Sequence, residues 1–310
     1  MLTNTLASGL EIVEKELQSV VNSDVDILTD AGLHLIKSGG KRLRPQLSIL
    51  AYLAAGGENV AEVAPIGAAI EMVHTATLVH DDINDHSMMR RGKLTVHAKW
   101  GRTFALLAGD YLFTKVYELM APFGAEYNVI MSDACTKLVE GETLQAQAAK
   151  AGEMDRETYK TIISRKTASL FEAGARMGAM LAGAEEKLIE ALSSYAYNLG
   201  LTFQIVDDIL DIIGDPETMG KPVGTDLAQN RGVTAAQNGG LDEVATAVAE
   251  ADDPIAQMMA KLRESGAMDI ARMQAQEMAE RAREALKSVA ESEAKDEMTN
   301  LIELVLERQS

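Results

Sequence analysis

Apolar residues return every three or four positions through most of the chain. Leu6, Leu10, Val13 and Leu17 alternate with Glu11, Glu14, Lys15 and Glu16, the stripe of an amphipathic first helix. The same spacing predicts helices over 103–121, 127–148, 156–182, 185–213, 254–290 and 294–308. Segment 62–85, which contains APIGAAIEMVHTATLVH, is apolar on nearly every side, so a helix there is buried all round. SGGKRLRP at 38–45 reads as a loop entering a helix, with Gly39 and Gly40 freeing the backbone. Asn238-Gly239-Gly240 reads as a loop between helices, and no strand alternation stands out. The pattern predicts an all-α fold of roughly ten or more helices.

Length alone, at 310 residues, suggests two domains. No Pro/Ser-rich linker, charge block or repeat divides the chain, so a single domain over 1–310 is expected. Six prolines and 4% aromatic residues fit one large helical body. A net charge of −18 argues against a nucleic-acid partner, which calls for clustered Lys and Arg. The acidic excess suits either bound divalent cations or a plain solvated surface. Cys135 is the single cysteine, so no intrachain disulfide forms, and a reducing, cytoplasmic location is expected. The start, MLTNTLASGLEIVEKELQ, lacks the basic and apolar regions of a secretory signal. No apolar run reaches the length of about 18 residues that a membrane span needs.

Chemistry enters with LVHDDINDHSMMRRGKLTVH, where the buried helix ends in Asp81, Asp82 and Asp85. Asp81 and Asp85, four apart, share a helix face, and Asp82 lies about 100° round. Three close carboxylates cannot all ionise comfortably without a cation. The C-terminal end of a helix worsens this, because its dipole favours positive charge. A hard divalent ion such as Mg²⁺ relieves both. One such cluster could be an ordinary exposed helix end. A second stands in FQIVDDILDIIGD, with Asp207, Asp208 and Asp211 at the same spacing, so two clusters could hold several ions between them across a cavity. Cations for an anionic substrate accompany them: Lys41, Arg42 and Arg44 on the glycine loop, Arg90 and Arg91 after the first cluster, Lys166 in SRKTASL and Lys221 in GKPVGTDL. Together they imply a phosphorylated, metal-clamped substrate above an apolar cavity.

These motifs resemble those of the trans-type isoprenyl (polyprenyl) diphosphate synthases over nearly the whole chain. The resemblance rests on GGKRLRP, HTATLVHDDINDHSMMRRG, LAGDYLF, EGETLQ, the Lys166-Thr167 pair, and FQIVDDILDIIGD followed by GKPVGTDL. It implies a helical bundle around a deep central apolar cavity, normally a homodimer, with about three Mg²⁺ per active site. Asp81, Asp82 and Asp85 resemble the main metal platform, and Asp207, with Asp208 and Asp211, the seat of a further ion. Arg90, Lys166, Thr167, Gln204 and Lys221 resemble contacts to the allylic diphosphate. Lys41, Arg44, His74 and Arg91 resemble the isopentenyl diphosphate site. The implied reaction ionises the allylic diphosphate, adds isopentenyl diphosphate to the cation and releases a proton. In the family that proton goes to the departing diphosphate. His74 is open to two roles, base or diphosphate donor, of which the donor is favoured.

Counting back from Asp81 gives Thr77, Ala76 and Val73, all small, where short-chain members carry a bulky aromatic floor. A long product of about C30 to C50, or geranylgeranyl diphosphate, is expected unless Phe113 or Tyr117 supplies the stop. After Asp226-Leu227 the chain departs from the family, reading AQNRGVTAAQNGG without the usual Thr-x-Pro. Class I terpene cyclases share DDxxD but carry an Asn/Ser/Glu triad in place of a second aspartate motif. A non-catalytic subunit of a heteromeric synthase is the other alternative.

Overall fold

The computed structural model describes residues 2–213, 232 and 266–308. The elements are α1 (Leu2–Val20), α2 (Asp26–Ile36), α3 (Leu43–Ala54), α4 (Val60–Asn84), β1 (Met89–Arg90), β2 (Lys93–Leu94), α5 (Val96–Trp100), α6 (Arg102–Met120), α7 (Ala125–Ala151) and α8 (Arg156–Ile163). A π-helical turn (Ser164–Ala168) follows, then α9 (Ser169–Leu181), α10 (Glu186–Ile213), α11 (Ala267–Leu286) and α12 (Glu293–Leu306). The all-α expectation holds. Segment 156–182 is interrupted by the π turn, and part of 254–290 lies outside the described residues, as does the loop at 238–240.

Two compact units emerge, each drawn from scattered stretches. One contains Met1–Cys135, Ala173–Ser193 and Ser288–Met298; the other contains Thr136–Glu172, Ser194–Lys287 and Thr299–Ser310. In the first, α4 packs against α1, α3 and α6. Val63, Ile66, Ile70, Met72, Val73 and Ala76 are each fully buried, as a helix apolar all round requires. α1 contributes Leu6, Val13 and Leu17, the stripe read from the sequence. In the second, a core of Ile162, Ile205, Ile209, Leu210, Met268 and Ala271 joins α8, α10 and α11. No described helix is long and apolar enough to cross a membrane.

The short hairpin, like α2 and α5, is an element not expected from sequence periodicity. Two residues per strand are too few for alternation. Its turn is Arg91-Gly92, both at positive φ (50° and 73°), between the pairs Met89–Leu94 and Arg90–Lys93. That is the left-handed pair a two-residue hairpin loop needs.

Candidate active site

α4 ends where the aspartates begin. Its last helical residue is Asn84, and Asp85 caps it, its N–H donating to the Asp81 carbonyl at 2.8 Å. His86 then turns left-handed (φ 54°), and the Ser87 N–H returns to the Asp82 carbonyl at 3.0 Å, closing the helix end. The next residues are laced down, with the Thr95 hydroxyl (2.8 Å) and His97 Nε2 (2.7 Å) on the Ser87 carbonyl. Asp81 and Asp85 stay partly exposed. Asp82 is 2% exposed and accepts from Arg90 Nε at 2.7 Å. Burial pushes the Asp82 carboxyl above its usual range, and Arg90 opposes that shift. Arg90, expected at the allylic diphosphate, is thus engaged with the middle aspartate.

The glycine loop lies beside the hairpin. Gly39 and Gly40 have positive φ (77° and 152°), and Arg91 Nη1 donates to the Gly39 carbonyl. A side chain at Gly40 would stand 2.7 Å from that same guanidinium nitrogen. Lys93 Nζ reaches the Lys37 carbonyl at 2.7 Å, and His34 Nε2 the Leu94 carbonyl at 2.8 Å. Lys41 is exposed and Arg44 half-buried. His74, on α4, is half-buried. Desolvation first, then the fields of Arg44, Arg91, Arg90 and Arg42, holds its pKa well below the ordinary value. Neutral imidazole in that setting is a poor proton acceptor and retains one N–H to donate.

The sign of that shift gives a stability prediction. Unfolded His74 titrates near 6.5, so below that pH the unfolded chain binds the proton that the folded chain refuses. Stability therefore falls as pH drops through 6.5 toward the depressed folded value. Urea unfolding of wild type against His74→Gln between pH 7.5 and 5 is expected to show about one proton less taken up by the variant. Parallel curves would contradict the shift.

The second unit gathers the other motif residues. Lys166 and Thr167 sit in the π turn, where the Ser169 N–H reaches back five residues to the Ser164 carbonyl. From α7, Glu142 (2.7 Å) and Gln145 (2.8 Å) hold the Lys166 ammonium, and Glu140 pairs with Arg165 at 3.2 Å. Gly141 lies between these acids, with no room for a side chain: a Cβ would meet the Lys166 backbone nitrogen at 2.7 Å. EGETLQ is therefore a cradle for the π turn. Thr167 Oγ1 donates to Gln204 Oε1 (2.7 Å), and Gln204 Nε2 donates to Asp208 Oδ1 (2.9 Å). The buried Tyr159 hydroxyl donates to Asp208 Oδ2 at 2.7 Å. Gln145, Tyr159, Lys166, Gln204 and Asp208 line one small cavity with Met154 and Gly232. Asp207 is 31% exposed, with Arg308 Nη2 3.7 Å away. Asp208 and Asp211 are 4% and 1% exposed. Lys221 and the atypical segment after Leu227 lie outside the described residues, apart from Gly232.

Sequence reasoning gave no role to Tyr159, Glu142, Gln145 or Arg308. EGETLQ was the one available signal, and its roles emerge only from the packing.

The donors suit Mg²⁺, which takes one or two carboxylates and completes its octahedron with water and substrate phosphate. Asp81, Asp85 and Asp207 offer partly exposed hard oxygens, whereas Asp208 is already hydrogen-bonded on both oxygens. Among the described residues no three metal-binding side chains converge into a ready cage.

Comparison with known proteins gives the family. The polyprenyl synthetase family model matches residues 25–236. The chain is 34% identical over 309 residues to a short chain isoprenyl diphosphate synthase of Methanothermobacter thermautotrophicus, covering 96% of this chain and 95% of that protein. It is 34% identical over 315 residues to the octaprenyl diphosphate synthase of Escherichia coli, covering 97% and 96%. Among solved structures, a polyprenyl synthase of Caulobacter crescentus, complexed with calcium and isoprenyl diphosphate, superposes with a TM-score of 0.92 at 33% identity, covering 100% of this chain and 97% of that one. With its aspartate-terminated α4, the cradled Lys166-Thr167 turn and these relatives, the chain belongs to the polyprenyl synthetase family, a family of prenyltransferases.

Proposed function

We propose that this enzyme condenses isopentenyl diphosphate head to tail with an allylic diphosphate, giving an all-trans polyprenyl diphosphate of about C30 to C50, with geranylgeranyl diphosphate the shorter alternative. The observation that carries the reading is the end of α4. Part-exposed carboxylates stand there, and within the same unit His74 lies in the combined field of Arg44, Arg91, Arg90 and Arg42. An acidic pole for metal and a basic pocket for diphosphate are what two diphosphate substrates require.

Asp81 and Asp85 at the first motif and Asp207 at the second would each hold Mg²⁺, about three ions counting both motifs, and Asp82, Asp208 and Asp211 support them from buried positions. Bound there, the ions supply charge stabilisation for the leaving diphosphate. Lys166, with Thr167, Gln204, Arg90 and Lys221, binds the allylic diphosphate. Lys41, Arg44, Arg91 and the neutral His74 N–H bind the isopentenyl one. The apolar wall of α4 excludes water that would quench the allylic cation. With His74 neutral and a poor base, the departing diphosphate receives the C2 proton.

A product longer than C20 is supported by Val73 and Ala76, both fully buried, and Thr77, which present no aromatic floor. Phe113 stacks on His80 with ring centroids 6.1 Å apart, and Tyr117 is 75% exposed, which supports neither as a stop within this chain. Ala76→Phe is expected to shorten the product to about C15–C20 at an overpacking cost of about 1–3 kcal/mol. Mass spectrometry of the products reads the first effect and thermal melting the second. Unchanged products from a folded variant would remove the tunnel assignment.

Phe104, Leu106, Leu107 and Tyr117 leave apolar surface exposed on α6, which supports a homodimer. A cytoplasmic enzyme acting as one catalytic domain completes the reading. Purified protein with Mg²⁺, farnesyl diphosphate and labelled isopentenyl diphosphate tests it. Elongated diphosphates are expected; a cyclic hydrocarbon would mean a cyclase, and turnover only with a second chain would mean a subunit.

A further inference from the structure

We propose that Arg42 is the positioning residue of the diphosphate loop: clamped between Glu14 and Glu71, it fixes the backbone that carries Lys41 and Arg44 and does not touch substrate. The inference rests on the isopentenyl diphosphate site proposed above.

By sequence Arg42 belongs with the loop cations. Its side chain is nevertheless only 9% exposed, and all three guanidinium nitrogens donate inward. Nε reaches Glu14 on α1 at 2.5 Å, Nη1 reaches Glu71 on α4 at 2.7 Å, and Nη2 reaches the Ile36 carbonyl at the end of α2 at 2.9 Å. Burial works against its charge, yet the bond to Glu14 and the field and bond of Glu71 outweigh it and hold its pKa above the ordinary value. A planar fork that serves three elements at once is work a lysine cannot do.

The backbone shows what the clamp achieves. Arg42 is left-handed (φ 49°, ψ 34°) at the N-cap of α3, a conformation that favours glycine. Its carbonyl accepts from the Gln46 N–H at 3.0 Å, opening the helix that carries Arg44 in its first turn. Lys41 precedes it directly. The side-chain clamp therefore sets the angle between the glycine loop and α3. Glu71 extends the hold to the helix of His74, because both residues lie on α4 one turn apart. Glu71, 4% exposed, also attracts Arg91. Two carboxylates, buried Glu71 and part-exposed Glu14, against one guanidinium leave a negative charge behind a group of cations that otherwise repel one another.

The test compares wild type with Arg42→Lys and the milder Glu14→Gln. In Arg42→Lys the KM for isopentenyl diphosphate is expected to rise about tenfold while the KM for the allylic diphosphate moves less than about twofold. Glu14→Gln should move the same way by about threefold. Amide hydrogen exchange should quicken at residues 38–41 and stay unchanged along α4. Equal changes in both KM values, no change in either, or faster exchange throughout α3 and α4 would overturn the proposal. If wild type shows no turnover, the functional reading fails separately. Calorimetry of isopentenyl diphosphate binding then decides for Arg42, and an affinity unaffected by both substitutions overturns it.

Discussion

Asp81→Asn is expected to lower kcat/KM by about a thousandfold while leaving the protein about as stable as before. The substitution is isosteric, and the Asp81 backbone carbonyl keeps its bond from the Asp85 N–H, so the backbone closure of the helix end is retained. What it removes is one negative charge from the last turn of α4, where the helix dipole already opposes it. Relief there is worth about 0.3–1 kcal/mol. Activity therefore falls with no matching loss of stability, which a surface aspartate would not produce. Steady-state kinetics with varied Mg²⁺, together with urea unfolding, reads both. Unaltered kcat/KM would end the metal assignment at this motif.

Gly141→Ala is the second large effect. The added methyl would stand 2.7 Å from the Lys166 backbone nitrogen and 3.0 Å from Arg165 Cβ, so α7 or the π turn must move. Overpacking of this kind costs about 1–3 kcal/mol. Displacing Lys166 from Glu142 and Gln145 should lower activity about a hundredfold, because misplacement of the order of an ångström is that costly. The effect should act through the lysine. On a Lys166→Met background, Gly141→Ala is expected to cost little more in activity, and additive losses in this double-mutant cycle would contradict that route.

Much of this was legible in the residues. The 62–85 segment appears as α4, Val60–Asn84, since a helix apolar on all sides has few alternatives to burial. Segment 185–213 appears as α10, Glu186–Ile213, for the same reason of sustained period. The π turn was not legible, because an inserted residue leaves the apolar spacing of 156–182 nearly unchanged. Charge type also failed to tell direction. Arg42 and Arg44 read alike in KRLRP, yet one left-handed residue turns the first into a three-element clamp. Asp207 and Asp208 are neighbours of equal appearance. Only packing makes one partly exposed and the other a buried acceptor for Tyr159 and Gln204. The resemblance supplied the expected roles, and packing separated the part-exposed groups from the buried ones.

The interleaving of the two units bears on how the molecule is made. The unit holding α1 through α6 also needs Ser288–Met298, and the Leu2 N–H donates to Glu293 Oε2 at 2.8 Å. An emerging polypeptide cannot finish that unit until those late residues have left the ribosome. α1 must therefore wait through most of translation for its late partner, and the unit stays incomplete, with apolar surface open to wrong contacts, for that long.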